Sequence, residues 1–260
     1  MRLLSFFMVC VMAVSASAEW TPPENPDPQA ILQEAEADAA AKRYADALAK
    51  HVWFHEHALE HQPSMSGVRL SFALGSWVRL GDRYPAALEK LEAIRDAAGD
   101  AVLESKLRKT NELFYDFAAI NRVLEEEVRT SELFVELDKD YPEKAEKIFS
   151  AALPALLKAK DYKLCGKYLS PKTNIEQYSR NFHDHEKMAK DPRFANPSFR
   201  DFGHKKFTND VTILVAILVV NERKPEAVEV ADRAKKEWAD AEFQAAVDKA
   251  LTGEMPKPWP

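Results

Sequence analysis

Apolar residues recur at spacings of three and four along almost the whole chain, the pattern of helices that each bury one face. Asp27-Pro28 supplies a capping side chain followed by proline at the first helical position. The helix it opens runs to about Ala41, with Ile31, Leu32, Ala35 and Ala39 on one side. A second helix spans 44–61 and is stopped by Pro63. A third starts near Ser66, carries Leu70, Leu74, Trp77 and Val78, and ends at Gly81. Pro85 opens a fourth, for which Gly99 is the expected left-handed cap. Residues 100–109 read as an extra turn or two. Helices then follow over 111–124, 127–139, 142–158 and 162–168, with Pro154 expected to kink the third of these. Periodicity weakens over 172–203, which reads as an insertion: a helix near 175–190, then a loop rich in Pro, Asn and Phe over 191–201. The last pair covers 206–222 and 225–239. The apolar run 213–220 is assigned to helix because no second strand is present to pair with it. A closing helix over 241–251 leads into a Pro-rich tail, 253–260, expected to be flexible.

Three strings punctuate this pattern: Tyr44-Ala45-Asp46-Ala47, Tyr84-Pro85-Ala86-Ala87 and Tyr162-Lys163-Leu164-Cys165. Each follows a turn and places a small residue three positions after an aromatic one. Ala35 and Gly75 lie twelve positions before Ala47 and Ala87. Small residues facing each other on two joined helices let the backbones approach, so Ala35 is expected against Ala47 and Gly75 against Ala87. Such hairpins bury a continuous core only by stacking on copies of themselves. Together with Leu74-Gly75, Leu80-Gly81-Asp82-Arg83-Tyr84, Ala87-Leu88 and the Thr130, Phe134, Leu137, Pro142 series, the hairpins resemble tetratricopeptide repeats. The resemblance covers about 27–171 and 206–239 and is most specific at 66–99. The equivalent positions Ala47, Ala87, Thr130, Cys165 and Ala227 are unevenly spaced. The expected fold is therefore all-α: one domain, 27–252, of stacked antiparallel hairpins forming an irregular α-solenoid.

Composition narrows the setting. Arg2, the apolar run 3–14 and Ala16-Ser17-Ala18 read as a cleaved export signal, residues 1–18, with an extended lead-in over 19–26. No later run is long enough to cross a bilayer. The expected location is periplasmic or secreted. Cleavage leaves Cys165 as the lone thiol, so no intrachain disulfide is expected. The formal net charge of −6, which becomes −7 without Arg2, argues against nucleic acid as a partner.

Candidate chemistry is sparse, and neither cofactor nor resident metal is expected. His51 and His55 share one face of their helix, and His57 and His61 lie about 120° round. Such pairs bind zinc only with a third ligand, for which the remote candidates are His183, His185, Glu186 and His204. Cys165 takes the position filled elsewhere by alanine, which implies a buried, inert thiol. Glu125-Glu126-Glu127 reads as a solvated helix start. The family resemblance implies a concave groove lined by first helices. Matching Gly75 and Ala118 to its close-contact position places Arg69, Phe72, Ser76 and Arg79 there from one hairpin. Tyr115, Ala119 and Arg122 come from the next. Three arginines beside two aromatics suit an acidic or carboxylate-terminated peptide. The expected role is a non-enzymatic scaffold for a protein or peptide. A histidine-based metal or catalytic protein and a self-assembling structural subunit are the competing readings.

Overall fold

The computed structural model describes residues 20–194 and 196–257; the export signal lies outside them. Among the described residues the chain is all-α, without strands. The helices are α1 (Pro28–Ala40), α2 (Tyr44–His61), α3 (Ser66–Arg69), α4 (Phe72–Gly81), α5 (Pro85–Glu104), α6 (Leu107–Val123) and α7 (Glu127–Asp140). Then come α8 (Pro142–Lys158), α9 (Tyr162–Tyr168), α10 (Pro171–Met188), α11 (Pro197–Val220), α12 (Lys224–Glu237) and α13 (Ala241–Ala250). They form two compact units where the sequence suggests one domain: residues up to Ala97, and residues from Ala98 on.

Four tight turns share one backbone pattern. Lys42, Glu125, Lys160 and Glu222 adopt left-handed conformations, with φ of 63°, 59°, 59° and 62°. Each N–H donates three residues back, and the next N–H donates five back: Arg43 to Asp38 at 2.8 Å, Glu126 to Asn121 at 2.8 Å, Asp161 to Leu156 at 3.0 Å, Arg223 to Leu218 at 2.8 Å. This paired closure of a helix end is a Schellman motif, which satisfies carbonyls left open by the last turn. The following helix begins two residues after the left-handed one. Five residues after it stand Ala47, Thr130, Cys165 and Ala227, and all four are buried. The turn geometry thus aims a small side chain at the preceding helix each time. The turn between α4 and α5 differs: Arg83 and Tyr84 both donate to the Leu80 carbonyl, and no residue goes left-handed.

Within the first unit Ala35 and Ala47 are both fully buried, but Gly75 is not a point of helix contact. A Cβ added there meets only the Arg79 guanidinium, at 3.7 Å. The fully buried Trp77 ring fills the space between α4 and α5, and its indole N–H donates to the Ala87 carbonyl at 2.8 Å. The close approach occurs one turn later, where a Cβ on Gly81 meets Leu88 at 3.1 Å. Tyr44 and Tyr84, the aromatics of the first two strings, stack on each other at 5.9 Å. The helix expected to run on from Ser66 breaks at Leu70-Ser71.

The second unit corrects two further expectations. Gly99 lies inside α5 and caps nothing. An added Cβ would come within 2.9 Å of the Phe117 ring, so the glycine makes room for that ring. The segment 172–203 is packed into the unit's core and holds less loop than expected. Its helix α10 places Ile175 and Phe182 in the main core, and α11 begins at Pro197, within the expected loop. The tail is partly anchored, since Met255 packs on the same core. Gly166 is likewise a packing glycine, because a Cβ there would sit 2.4 Å from Asn221, whose amide donates to the Tyr162 carbonyl at 2.8 Å.

A left-handed non-glycine residue costs about 1–2 kcal/mol, partly offset by the greater freedom of glycine when unfolded. Glu125→Gly and Lys160→Gly, both at exposed positions, should each stabilise the protein by about 0.5–1 kcal/mol. Lys160→Val should destabilise it, with urea midpoints reporting the order.

Cys165 is fully buried, and burial pushes its thiol up to about 12. It should resist thiol reagents until the protein unfolds. Cys165→Leu should cost about 1–3 kcal/mol through overpacking, read as a lowered thermal midpoint.

Candidate functional site

The residues expected to line a groove do not form one set of exposed side chains. Arg69 is buried: its Nε donates to the His55 carbonyl at 2.5 Å, and a terminal nitrogen lies 3.4 Å from the His55 ring. Ser76 is buried as well. Both residues sit on the inner side of their helices, so neither can meet a partner without the unit opening. Phe72 and Arg79 do face solvent, Phe72 at 79% exposure, and Arg79 lies 3.7 Å from Glu36. Phe72 at so high an exposure contributes little to folding and is the most exposed large apolar side chain described. In the second unit Tyr115 and Arg122 are exposed, Ala119 is buried, and the Tyr115 hydroxyl lies 3.2 Å from that of Ser150.

The histidines have packing and buttressing partners. His51 stacks on Trp77 at 5.7 Å and His55 meets the same ring edge-on at 6.2 Å. His57 and His61 flank Trp53. In the second unit the His185 ring lies directly over Gly203, where a Cβ would fall 2.0 Å away, and its Nε2 is 2.6 Å from the Phe199 carbonyl. His204 and Arg200 both contact Glu186, at 2.8 and 2.7 Å. The Arg200 hydrogen bond, helped by His204, holds that carboxyl down to about 2. These contacts tie α10 to the start of α11. Among the described residues no three His, Cys, Asp or Glu side chains converge as metal ligands would.

Sequence reasoning missed an ion cluster in the first unit, buried at its Asp38–Lys50 centre and exposed at Arg43 and Glu34. Asp38 on α1 takes Lys50 of α2 at 2.5 Å and Arg43 from the intervening turn, while Glu34 lies 3.2 Å from Lys50. Burial pushes the Asp38 carboxyl up, but the Lys50 and Arg43 hydrogen bonds outweigh it and leave it below its ordinary value. Lys50 is correspondingly raised against its own burial. The pairing satisfies charges that would otherwise be costly to bury.

A cleft of about 660 Å3 in the second unit lies among the end of α9, the start of α10 and one face of α12. Leu169, Ile175 and Val230 supply its apolar floor. Its rim is an alternation of ion pairs. Arg223 forks onto Glu226 at 2.7 and 2.8 Å and also donates to the Gly166 and Leu169 carbonyls. Arg233 reaches Glu176 at 3.4 Å, and Lys167 reaches Asp138 at 2.5 Å. Lys172, Glu146 and Glu229 line the cleft without an ion pair among the described residues. The positive groups are therefore mostly neutralised, and the cleft offers both signs of charge beside a narrow apolar strip. Three separate chain segments build it, joined by the Arg223 strap. A sequence signal existed only for the turn that positions Arg223.

His51 supplies a pH test. Both ring nitrogens are buried without a hydrogen-bond partner among the described residues. Burial, reinforced by Arg79, brings the ring down to about 4 from the ordinary 6.5. Protons thus bind the unfolded chain first, and stability contributed by neutral His51 is lost as pH falls from about 6.5 to 4. At 1.36 kcal/mol per pH unit the loss reaches about 3 kcal/mol. His51→Phe should flatten this part of the stability profile, as measured by urea unfolding across that range.

Compared with known proteins, the chain matches no family model, no curated protein and no solved structure.

Proposed function

We propose that this protein is an exported, non-enzymatic scaffold of irregular, tetratricopeptide-like helical hairpins that holds an extended segment of a protein or peptide partner. The observation that carries the reading is the recurrence of one hairpin turn at four places, with a small buried residue five positions on each time. A chain that spends its sequence on repeated hairpins builds surface between neighbouring helices, and grooves between helices are where extended or helical segments dock. The cleft among α9, α10 and α12 is the contact region, because it joins an apolar floor to charges of both signs. A partner segment with alternating charges, rather than a purely acidic one, fits this rim. The burial of Arg69 removes one of the three cations on which acid selectivity rested.

Photo-crosslinking tests the reading. A crosslinking residue at position 172 or 229 should capture a discrete partner from an envelope extract, while one at position 90, on exposed α5 surface, should not. Lys172→Glu combined with Glu229→Lys should reduce capture about tenfold or more with the thermal midpoint unchanged, in line with loss of paired interfacial charges. Equal crosslinking from all three positions, or capture undiminished by the charge swap, would overturn the assignment.

A further inference from the structure

A second pocket, independent of that cleft, lies among α11, α13 and the C-terminal segment 254–257. It holds about 570 Å3, within the range of small-molecule sites. One wall is aromatic: Trp238 stacks on Phe243 at 5.1 Å and meets the His204 ring at 4.5 Å. The facing surface of α11 presents Thr208, Asn209 and Thr212. The Thr208 hydroxyl donates to the His204 carbonyl at 3.0 Å and the Thr212 hydroxyl to the Thr208 carbonyl at 2.7 Å. With its hydrogen engaged, the partly exposed Thr208 oxygen meets a ligand as an acceptor, while Thr212 is buried behind it. Asn209 Oδ1 is buried and receives no hydrogen bond among the described residues. A buried acceptor left open in this way is a site for a donor from outside the chain.

Charge at the rim points the same way. Four carboxylates, Asp201, Asp240, Glu242 and Glu254, line the pocket with three lysines. Lys205 is held by Asp201 at 2.7 Å, which leaves three carboxylates against two ammonium groups. Acceptor-rich walls, an aromatic face and a negative balance together select a compact organic cation that donates several hydrogen bonds. A guanidinium meets all three conditions, being planar, always charged and equipped with five N–H donors. We propose that this pocket binds a guanidinium group, with Asn209 Oδ1 as its buried acceptor, Trp238 as its stacking surface and Glu242 and Glu254 as its counter-charges.

Calorimetric titration of the purified chain with arginine, citrulline and the tripeptide Gly-Arg-Gly tests the site. Arginine and the tripeptide should bind saturably, and citrulline, its uncharged counterpart, about tenfold or more weakly. Tighter binding of the tripeptide than of arginine would assign the guanidinium to a partner's side chain; the reverse order would assign it to a free small molecule. Both orders support the site. Asn209→Leu and the double variant Glu242→Gln, Glu254→Gln should each weaken arginine about tenfold with an unchanged circular dichroism spectrum. Equal affinity for arginine and citrulline, no saturable binding at millimolar arginine, or full affinity in both folded variants would overturn the proposal.

Discussion

Everything else in the structure depends on the closure of a helix by a left-handed residue and the burial of a small side chain five residues later. The turn fixes the direction in which the chain re-enters helix. The small residue then fixes how closely the second helix approaches the first. Neither works alone: a tight turn with a large fifth residue would splay the hairpin, and a small residue after a loose loop would have nothing to face. Lys and Glu occupy the left-handed position in place of glycine. The chain therefore tolerates local strain at four surface points because the helices on either side bury enough apolar area to hold it. At the last of these turns, residues 214–218 of the preceding helix α11 are all fully buried.

From this constraint follows where ligands can go. Hairpins packed through small residues leave little space between their own two helices, so cavities fall between neighbouring hairpins or at chain ends. The 660 Å3 cleft lies among α9, α10 and α12, and the 570 Å3 pocket is closed by the C-terminal segment. One is lined by paired charges over an apolar floor, the other by acceptors and stacked rings. The two surfaces differ enough in chemistry to serve different ligands.

Much of the fold was legible because its punctuation is local. Pro63, Pro142 and Ser170-Pro171 bracket α2, α8 and α9, and each of these helices has the bounds that its flanking signals imply. Gly99 was not legible, since glycine in a helical stretch looks the same whether it ends the helix or admits a ring from Phe117, eighteen residues on. The core packing of α10 was missed because its buried stripe is narrow, only Ile175, Ser179 and Phe182 among polar residues. Of the candidate site, the positions of Phe72 and Arg79 came from matching Gly75 to the family's close-contact position, and both side chains are exposed. The burial of Arg69 was not legible, because its acceptor is a backbone carbonyl, which carries no sequence signature. The clefts were invisible for a related reason: each gathers residues from segments far apart in the chain.

Native-state hydrogen exchange at the amides of Arg43, Glu126, Asp161 and Arg223 tests the hairpin account most directly. These four donate the five-residue bond that closes each turn. The account predicts that all four are protected to the level of their flanking helices, exchanging only when a whole hairpin opens. Exchange at the rate of solvated loops, at these turns while the helices stay protected, would contradict it.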